Sequence, residues 1–481
     1  MKKGFTLGLA LLLVCFLASC GKKGEGDTSG VFAKFEGDLE TNVKLRVLEN
    51  DTAIELGYFD ELINAFNATY EEYGIEAVDA KMDQYSDLEN DGPYGYGPDV
   101  LYQANDVLMK YVEGRHILPL PTAKLTSYSS ISKAAWQVFE SNEAGELYTF
   151  GVPVNIQSPM LYYRKDMLPS DWQTNWDNNH NNVPDMVESW SYLYKYSKEI
   201  HANNPKKYGY MKSLFDSYFS IGYLLSYDGY IFGDNNKNTQ DIGLDNGDSY
   251  KGAKILKQLA SIMSEECIDD TITTTAYSRL ASGEYFATMT TPDVYELFIN
   301  ELTLEYKRSG LSESESQAKA IENLVITNVP ELPESATLED TTGKTKKMTV
   351  MGGIHGYAIS SYTKAPKAAL AFINFATSYE MMKKRTEMLS IAPVRMDIIN
   401  DTNNNIAKIL FDNLENGYID IMPSIKAVGQ IWTPLKSLFT DLAKDPYREA
   451  KDQYFITDDD YKNAIVKTKK DIYDAIFALA K

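Results

Sequence analysis

The hydrophobic pattern of residues 151–167 predicts two short strands with a break between them. Val152, Val154 and Ile156 are apolar and β-branched, and they alternate with other residues as on one face of a strand. A second apolar run covers residues 160–163. Between the two runs lie Gln157, Ser158 and a proline, a combination that interrupts regular strand pairing.

The segment before this stretch has the pattern of a β-α-β unit. Residues 44–48 alternate as a short strand, residues 56–73 repeat apolar positions at helical spacing, and residues 75–77 begin a second strand. This order predicts a parallel sheet with a right-handed crossover. Asp51 lies at the turn from strand to helix, where open α/β sheets place ligand-binding groups.

Strands and helices alternate along the rest of the chain as well. Helices are predicted over residues 187–201, 250–264, 276–283, 366–377 and 461–481. Residues 297–323 are rich in charge and helix formers, and residues 331–347 are polar and are expected to form a loop. The whole pattern predicts an α/β protein.

The N-terminus has the pattern of a secretory signal peptide. Two lysines precede an apolar run over residues 5–18, which is too short for a comfortable membrane span. Residues 17–20 read LASC, which matches the bacterial lipobox. We therefore expect a signal peptide over 1–19, lipidation of Cys20, and a polar tether over 20–40. An ordinary signal peptide with an incidental cysteine is the alternative.

Composition narrows the classes of partner. The chain of 481 residues is long enough for two or three domains. Its formal net charge of −21 argues against nucleic acid and disfavours a polyanionic ligand. Cys267 is the one cysteine expected in the mature body besides the lipidated residue, so no intramolecular disulfide is predicted.

Sequence motifs of common enzymes do not occur. The four histidines form no HExxH or comparable zinc spacing. The chain has no GxSxG elbow and no P-loop, and no GxGxxG follows the first strand. Carboxylates are so abundant in this chain that counting them does not exclude a pair of glycosidase acids. No single acid has a distinctive setting, which disfavours such a pair.

Several segments together resemble the bacterial extracellular solute-binding proteins of the maltose/maltodextrin type (family 1). They include the two strands at 151–167, a GPDV strand followed by an Asn/Asp turn at 97–106, a strand and proline at 285–292, and an MP…W segment at 422–432. The resemblance covers about residues 44–442. In that family the segment at 151–167 crosses from the first lobe to the second.

The resemblance implies a type II periplasmic-binding-protein-like fold, with two α/β lobes, a multi-strand hinge and a ligand cleft between the lobes. The first lobe would comprise residues 41–153 and 354–395, and the second lobe residues 154–353 and 396–481. Residues 350–360 and 391–394 would form the other crossings.

The resemblance also implies a sugar site, in which polar groups bind hydroxyls and flat rings cover the sugar face. The implied ligand-binding residues are Asp51, Asp106, Gln157, Asp216, Tyr218, Tyr230 and Trp432. Trp432 is expected to be the stacking platform, and the alternative is that it is a core residue. For each polar candidate, the alternative is a solvated loop residue. Gln103 and Val107 replace the family's Trp and Arg, and Asp293 replaces an aromatic residue, so these positions leave the identity of the sugar open.

Residues 177–188 match the spacing of a twelve-residue EF-hand-type calcium loop. The oxygen ligands would come from Asp177, Asn179, Asn181, Asp185 and Glu188, with the main-chain carbonyl of Val183. Asn182 replaces the usual glycine at position 6, and three carboxylates predict weak binding. Glu188 is expected in the first turn of the helix at 187–201. A solvated Asn-rich turn is the alternative.

These observations lead to one functional hypothesis. The protein is expected to be the lipid-anchored substrate-binding component of an ABC importer, at the cell surface or in the periplasm, and not an enzyme. Its partners would be an oligosaccharide of the maltodextrin type, the permease subunits and, through the lipid, the membrane, but no nucleic acid. No cofactor is required, and a structural calcium ion is the one bound group suggested. The alternatives are a polyol, glycerophosphodiester or peptide as ligand, or a secreted carbohydrate-active hydrolase.

Overall fold

The computed structural model describes residues 30–83, 87–268, 271–401 and 404–478. The predicted signal peptide, Cys20 and the first part of the tether lie outside these residues. Within the described ranges, no helix combines the length and the apolar character that a membrane span requires.

Sixteen strands occur in the described residues: β1 (Val43–Leu48), β2 (Ile75–Asp79), β3 (Val100–Ala104), β4 (Glu140–Glu143), β5 (Glu146–Thr149), β6 (Val152–Gln157), β7 (Met160–Arg164), β8 (Tyr208–Met211), β9 (Asn238–Ile242), β10 (Tyr285–Thr290), β11 (Leu324–Thr327), β12 (Leu332–Pro333), β13 (Thr345–Lys346), β14 (Val350–Ile359), β15 (Ala392–Pro393) and β16 (Ile419–Ile421).

The helices of the same residues are α1 (Asp51–Glu55), α2 (Tyr58–Thr69), α3 (Leu88–Asp91), α4 (Asn105–Glu113), α5 (Lys133–Gln137), α6 (Trp172–Asn175), α7 (Asp185–Glu188), α8 (Trp190–Asn203), α9 (Ser217–Leu225), α10 (Gly233–Asn236), α11 (Tyr250–Ala260), α12 (Thr271–Ala281), α13 (Tyr295–Arg308), α14 (Glu313–Asn323), α15 (Pro366–Ala376), α16 (Tyr379–Leu389), α17 (Met396–Asp401), α18 (Asn405–Glu415), α19 (Trp432–Lys444) and α20 (Asp458–Ala478).

A seven-stranded sheet organises the first lobe. Its strand order is β15-β6-β14-β3-β1-β2, and β16 pairs with one end of β14. Strands β1, β2 and β3 are parallel, with α2 between β1 and β2, which confirms the predicted β-α-β unit. Strand β14 is antiparallel to both β3 and β6.

A four-stranded sheet in the order β11-β7-β10-β8 organises the second lobe. Strand β7 is antiparallel to its neighbours β10 and β11, and β8 is parallel to β10. The two strands predicted at 151–167 are therefore confirmed as β6 and β7, and they belong to different sheets. At this crossing, only Ser158 and Pro159 separate β6 in the first sheet from β7 in the second.

Two separate hydrophobic cores accompany the two sheets. The first core contains Ile156 and resumes at Ile354, whereas the second begins at Met160 and extends to Met351 before that return. Val154 and Ile156 thus pack in the first core, beyond the predicted boundary at residue 153. The division into lobes at the stated residue numbers stays a prediction.

Strand β14 approaches its neighbour very closely as it runs between the lobes. A Cβ atom on Gly356 would lie 2.6 Å from the carbonyl oxygen of Val152 on β6. Only glycine fits this contact without a shift of main chain. The pairing register between the two strands also shifts between His355 and Gly356.

Two predicted segments differ from the structure. The helix expected over 187–201 begins at Trp190, because Ser189 has an extended backbone and bridges to Glu331. Glu188 is therefore the last residue of the short helix α7, so its expected place in the first turn of the longer helix was wrong. The expected loop at 331–347 contains the small β12–β13 hairpin.

Candidate ligand-binding cleft

A cavity of 640 Å³ lies between the two lobes and is lined by both. From the first lobe, the ends of β1 and β3, the start of α4 and the middle of β14 reach it. From the second lobe, α9, α12 and the turn after β10 reach it. The lining residues are Asn50, Thr52, Tyr102, Gln103, Ala104, Asp106, Val107, Gln157, Tyr218, Phe219, Tyr277, Thr291, Asp293, Val294, Gly353, His355 and Met422.

Asp106 is one of the predicted residues in this cleft. It is in the first turn of α4, directly after strand β3, so the strand's carboxyl end aims it at the cavity. Burial raises the pKa of its carboxyl to about 6, although the main-chain N–H groups of Val107 and Asp106 lower it. Its Oδ1 atom is buried and has no hydrogen-bond partner in the part of the chain that the structure describes.

Gln157 and Tyr218 meet at the same cleft from opposite lobes. The Tyr218 hydroxyl donates a hydrogen bond of 3.3 Å to the main-chain carbonyl of Gln157 at the end of β6. Burial raises the pKa of Tyr218, and the carboxyls of Asp293, Asp216 and Asp106 raise it further. The hydroxyl is therefore protonated at neutral pH and can donate.

Trp432 and Asp216 line a second cavity of 380 Å³ that shares Tyr218 and Met422 with the first. Trp432 is the first residue of α19 and is only partly buried, so one part of its indole ring is accessible. The Ser217 hydroxyl donates to its carbonyl oxygen at 3.3 Å, which ties α19 to α9. The two cavities together form an extended groove with an aromatic ring at one end.

The remaining two predicted ligand-binding residues do not line either cavity. Asp51 is exposed at the start of α1, between the two lining residues Asn50 and Thr52. Tyr230 belongs to the α10–β9 hairpin region, where its hydroxyl donates to Asp241 at 2.7 Å. The Tyr230 ring fills the space beside Gly243, so in this structure it packs against the hairpin instead of the cleft.

Sequence reasoning did not propose Asp293 and His355 as ligand groups. Asp293 is in the 3-10 turn Pro292–Val294 that follows β10, so the strand-end rule applied to Asp106 could have found it. His355 lies inside β14, and no local signal marks it. Burial, with the nearby positive charge of Arg385, lowers the pKa of His355 to about 3, so its imidazole is neutral at pH 7.

A buried ion pair holds the first lobe together behind the cleft. Arg385 on α16 donates two hydrogen bonds of 2.9 Å to the carboxylate of Glu49, which follows β1. The Tyr357 hydroxyl on β14 donates to the same carboxylate at 2.5 Å. Both charged side chains are almost fully buried. This pair connects β1, whose end reaches the cleft, to helix α16.

The predicted calcium loop folds around Asp177 and Glu188. Asp177 accepts hydrogen bonds of 3.1 Å from the main-chain N–H groups of Asn181 and Asn182. Glu188 accepts from the side-chain amides of Asn179, at 3.0 Å, and Asn181, at 2.7 Å. Positions 1, 3, 5 and 12 of the loop therefore converge.

The other two predicted calcium ligands are Val183 and Asp185, and Asn182 stands at the position of the usual glycine. Val183 and Asp185 line one cavity together with Asn179 and Glu188. Asn182 has φ of +63°, the left-handed conformation that the usual glycine of such loops adopts. Nowhere in the four described ranges do three or more His, Cys, Asp or Glu side chains form a metal-binding group, so any cation here depends on amide and carbonyl oxygens as well.

Comparisons with known proteins extend over most of the chain. The model of a family described as "bacterial extracellular solute-binding protein" matches residues 61–408. The galactooligosaccharide-binding protein of Bacillus subtilis is 25% identical over 389 residues, which is 77% of this chain and 78% of that protein. The maltodextrin-binding protein MdxE of the same organism is 22% identical over 482 residues, covering 97% of this chain and 99% of that protein.

A solved structure with the same fold is MalX from Streptococcus pneumoniae in complex with maltopentaose. It has a TM-score of 0.66 and 18% sequence identity, and the match covers 89% of this chain and 99% of that one. At this level of identity the likeness shows the fold alone. The predicted type II fold of two α/β lobes with a cleft between them is confirmed.

Proposed function

The chain belongs to the bacterial extracellular solute-binding protein family, and we propose that it captures an oligosaccharide and delivers it to an ABC permease. The observation that carries this proposal is the groove between the lobes. It joins hydrogen-bonding side chains such as Asp106 and Gln157 to an accessible tryptophan ring at its second-lobe end. Sugar recognition needs this combination of polar groups and flat rings.

The names of the relatives support the same class of ligand. Two of them are described as binding galactooligosaccharides and maltodextrins. The proposed ligand is therefore an oligosaccharide, with maltodextrin type as the first choice and galactooligosaccharide as the second. Asp106, Gln157, Asp216, Tyr218 and Trp432 are the proposed contacts; Asp51 and Tyr230 would reach a ligand only through a rearrangement.

We further propose that the protein acts at the outer face of a bacterial membrane, held there by lipid on Cys20. The LASC pattern supports this location. Lipid attached to one residue contributes membrane affinity through its buried methylene groups, and stable anchoring takes more than one chain. The permease would then meet the two lobes close to the membrane surface.

A thermal-shift screen of residues 21–481 tests the ligand class. The panel contains maltotriose, longer dextrins, galactooligosaccharides, polyols, glycerophosphodiesters and peptides. A ligand at about 100 times its dissociation constant stabilises the native state by about 2.7 kcal/mol, which raises Tm by up to a few degrees. We expect a shift with an oligosaccharide. A shift only with a glycerophosphodiester, a polyol or a peptide would contradict the sugar assignment.

The hydrolase alternative is separated by the fate of the sugar. The proposed binding protein forms a 1:1 complex and releases the oligosaccharide unchanged. Chromatography of the saccharide after a long incubation checks this. Shortened saccharides would assign carbohydrate hydrolysis to the protein instead.

We propose that residues 177–188 bind a structural calcium ion that holds this second-lobe loop in place. The convergence of Asp177, Asn179, Asn181 and Glu188 supports the site, and so does the left-handed backbone of Asn182. Removal of calcium with EDTA should lower Tm by roughly a few degrees, and excess calcium should restore it.

The matched variants for this test are Glu188→Gln and Glu199→Gln. Glu188 is the proposed position-12 ligand, whereas Glu199 is an exposed residue on the neighbouring helix α8. Only Glu188→Gln should abolish the response to calcium. An identical Tm of the wild type with EDTA and with calcium would refute the site.

A further inference from the structure

The turn after β10 places a buried carboxyl in the cleft whose role the sugar pattern does not explain. Asp293 is only 8% exposed, and it lines the cleft from the second lobe. Its Oδ1 atom has no hydrogen-bond partner among the residues described. A buried acceptor without a partner is rare in folded proteins and marks a place where a ligand or water completes the hydrogen bonding.

Asp106 presents a second such oxygen from the first lobe. Its buried Oδ1 also lacks a partner within the described chain, and it lines the same cavity. Both carboxyls raise the pKa of the Tyr218 hydroxyl, so both lie near it. Asp293 in addition interacts with the Gln157 side chain, which belongs to the first-lobe sheet. The two acceptors therefore face one cavity from opposite lobes.

Among the described residues, no lysine or arginine side chain lines the cavity of 640 Å³ that these two carboxyls face, whereas Lys436 lines the adjoining cavity that contains Trp432. Burial raises the pKa of the Asp293 carboxyl and the positive charge of Arg385 lowers it, but the Arg385 guanidinium group is bound to Glu49 through two hydrogen bonds. His355, which also lines the cavity, is neutral at pH 7 and has an Nδ1 atom without a partner in these residues. The site therefore favours groups that donate hydrogen bonds and disfavours anions.

We propose that Asp106 and Asp293 bind one saccharide from opposite lobes by accepting hydrogen bonds from its hydroxyl groups. Asp293 is then a specificity-determining residue that selects uncharged saccharides and rejects those carrying carboxylate groups. This inference rests on the proposed function, because it names the class of saccharide that the same cleft takes.

The test compares neutral and acidic probes on the wild type by calorimetric titration at low salt. The neutral probes are maltotriose and β-1,4-galactotetraose, and the acidic probes are the same saccharides oxidised to uronates at C6. We expect the wild type to prefer a neutral probe over its uronate by about a hundredfold or more. Equal affinities for a neutral probe and its uronate would overturn the inference without any variant.

Asp293→Asn and Asp106→Asn test the two residues, and Asp60→Asn on the exposed face of α2 is the control. Each cleft variant should bind the neutral probe about tenfold more weakly, because an amide nitrogen replaces an oxygen that accepts a hydrogen bond from the saccharide. Each cleft variant should also have a smaller ratio of neutral-probe affinity to uronate affinity than the wild type. A purely structural effect would weaken both probes equally and leave that ratio unchanged.

The outcomes separate the two proposals. If the wild type binds a neutral probe, but Asp293→Asn changes neither its affinity nor the neutral-to-uronate ratio by more than about twofold, the inference is wrong and the proposed function stands. If the wild type binds neither neutral probe, the proposed function fails for these sugars and the inference fails with it. The control variant should match the wild type in both affinity and ratio.

Discussion

Trp432 is the residue in which packing and proposed function are most easily separated. The ring stands at the first position of α19 and is partly exposed to the cavity that it shares with Asp216 and Tyr218. A side chain that contributed only to the core would be fully buried, as Trp190 is. At the residue scale, the accessible aromatic surface of Trp432 in one cavity and the unsatisfied acceptors Asp106 and Asp293 in the adjoining one distinguish this groove from the interior.

Replacing Trp432 by alanine should therefore weaken saccharide binding by about tenfold or more, since aromatic anchors carry much of the binding energy at such sites. Trp432→Phe should keep part of the affinity because a flat ring remains. Tyr94→Ala is the matched control, because Tyr94 is an exposed aromatic residue outside the groove. Calorimetric titration checks all three. Unchanged affinity in Trp432→Ala would remove this residue from the site.

Asp106 makes a prediction about pH. Burial raises the pKa of its carboxyl to about 6 in the folded protein, above the ordinary value of 3.8 for an aspartate. The folded state therefore binds the proton more tightly than the unfolded state, and ionisation of Asp106 destabilises the empty protein as pH rises from about 4 to about 6. Above that window the destabilisation is complete, and below it the destabilisation is absent.

Asp106→Asn should consequently raise the Tm of the ligand-free protein at pH 7.5 by about 2 °C and leave it unchanged at pH 4. Thermal unfolding at the two pH values, with Asp60→Asn as the control, checks this difference. A Tm of Asp106→Asn that lies below the wild type at pH 7.5 would contradict the burial of an uncompensated charge.

At the scale of elements, the Glu49–Arg385 pair connects β1, β14 and α16. Both charges are desolvated, and their stabilisation depends on their bidentate geometry and on the Tyr357 hydroxyl. Removing one partner leaves the other buried without compensation. The cleft edge formed by the end of β1 depends on this arrangement.

Arg385→Met should lower the free energy of unfolding by about 3–5 kcal/mol, because Glu49 then remains charged in the interior. The double variant with Glu49→Gln should recover a large part of that loss. Denaturant unfolding of the wild type, both single variants and the double variant gives the coupling energy. Additive losses in the double variant would show that the two side chains do not act as a pair.

The periodic elements could be predicted from sequence, but their interruptions could not. Met186 and Val187 on α7 are buried like Trp190 on α8, so the apolar spacing runs through the break and suggests one helix. The break depends on Ser189, whose extended backbone pairs with Glu331 more than a hundred residues away. Local pattern carries no information about such a partner.

Cleft residues that end or directly follow a strand could be predicted from the sequence, whereas cleft residues placed by tertiary packing could not. Asp106 and Gln157 follow or end first-lobe strands and do reach the cavity. Tyr230 is an aromatic residue of the expected type, yet its ring packs beside Gly243. His355 reaches the cavity from within a central strand, so only the assembled sheets bring it to the site.

At the scale of the whole molecule, side-chain hydrogen bonds between the lobes hold them in their relative position, and the Tyr218–Gln157 bond is one of them. The Asn105 side chain donates to the carbonyl of Met422 at 3.0 Å and to the Ser424 hydroxyl at 2.7 Å, and Ser390 donates to Glu296 at 2.7 Å. A saccharide that contacts both lobes would add to these bonds. It would favour the closed arrangement only because it binds both sides at once.

The measurement that tests this account most directly is a crystal structure of residues 21–481 with the oligosaccharide that gives the largest thermal shift. We predict that one saccharide lies in the groove, stacks on Trp432 and donates hydroxyl hydrogen bonds to Asp106 on the first lobe and Asp293 on the second. A saccharide bound to one lobe alone, or at a surface away from the groove, would contradict the account.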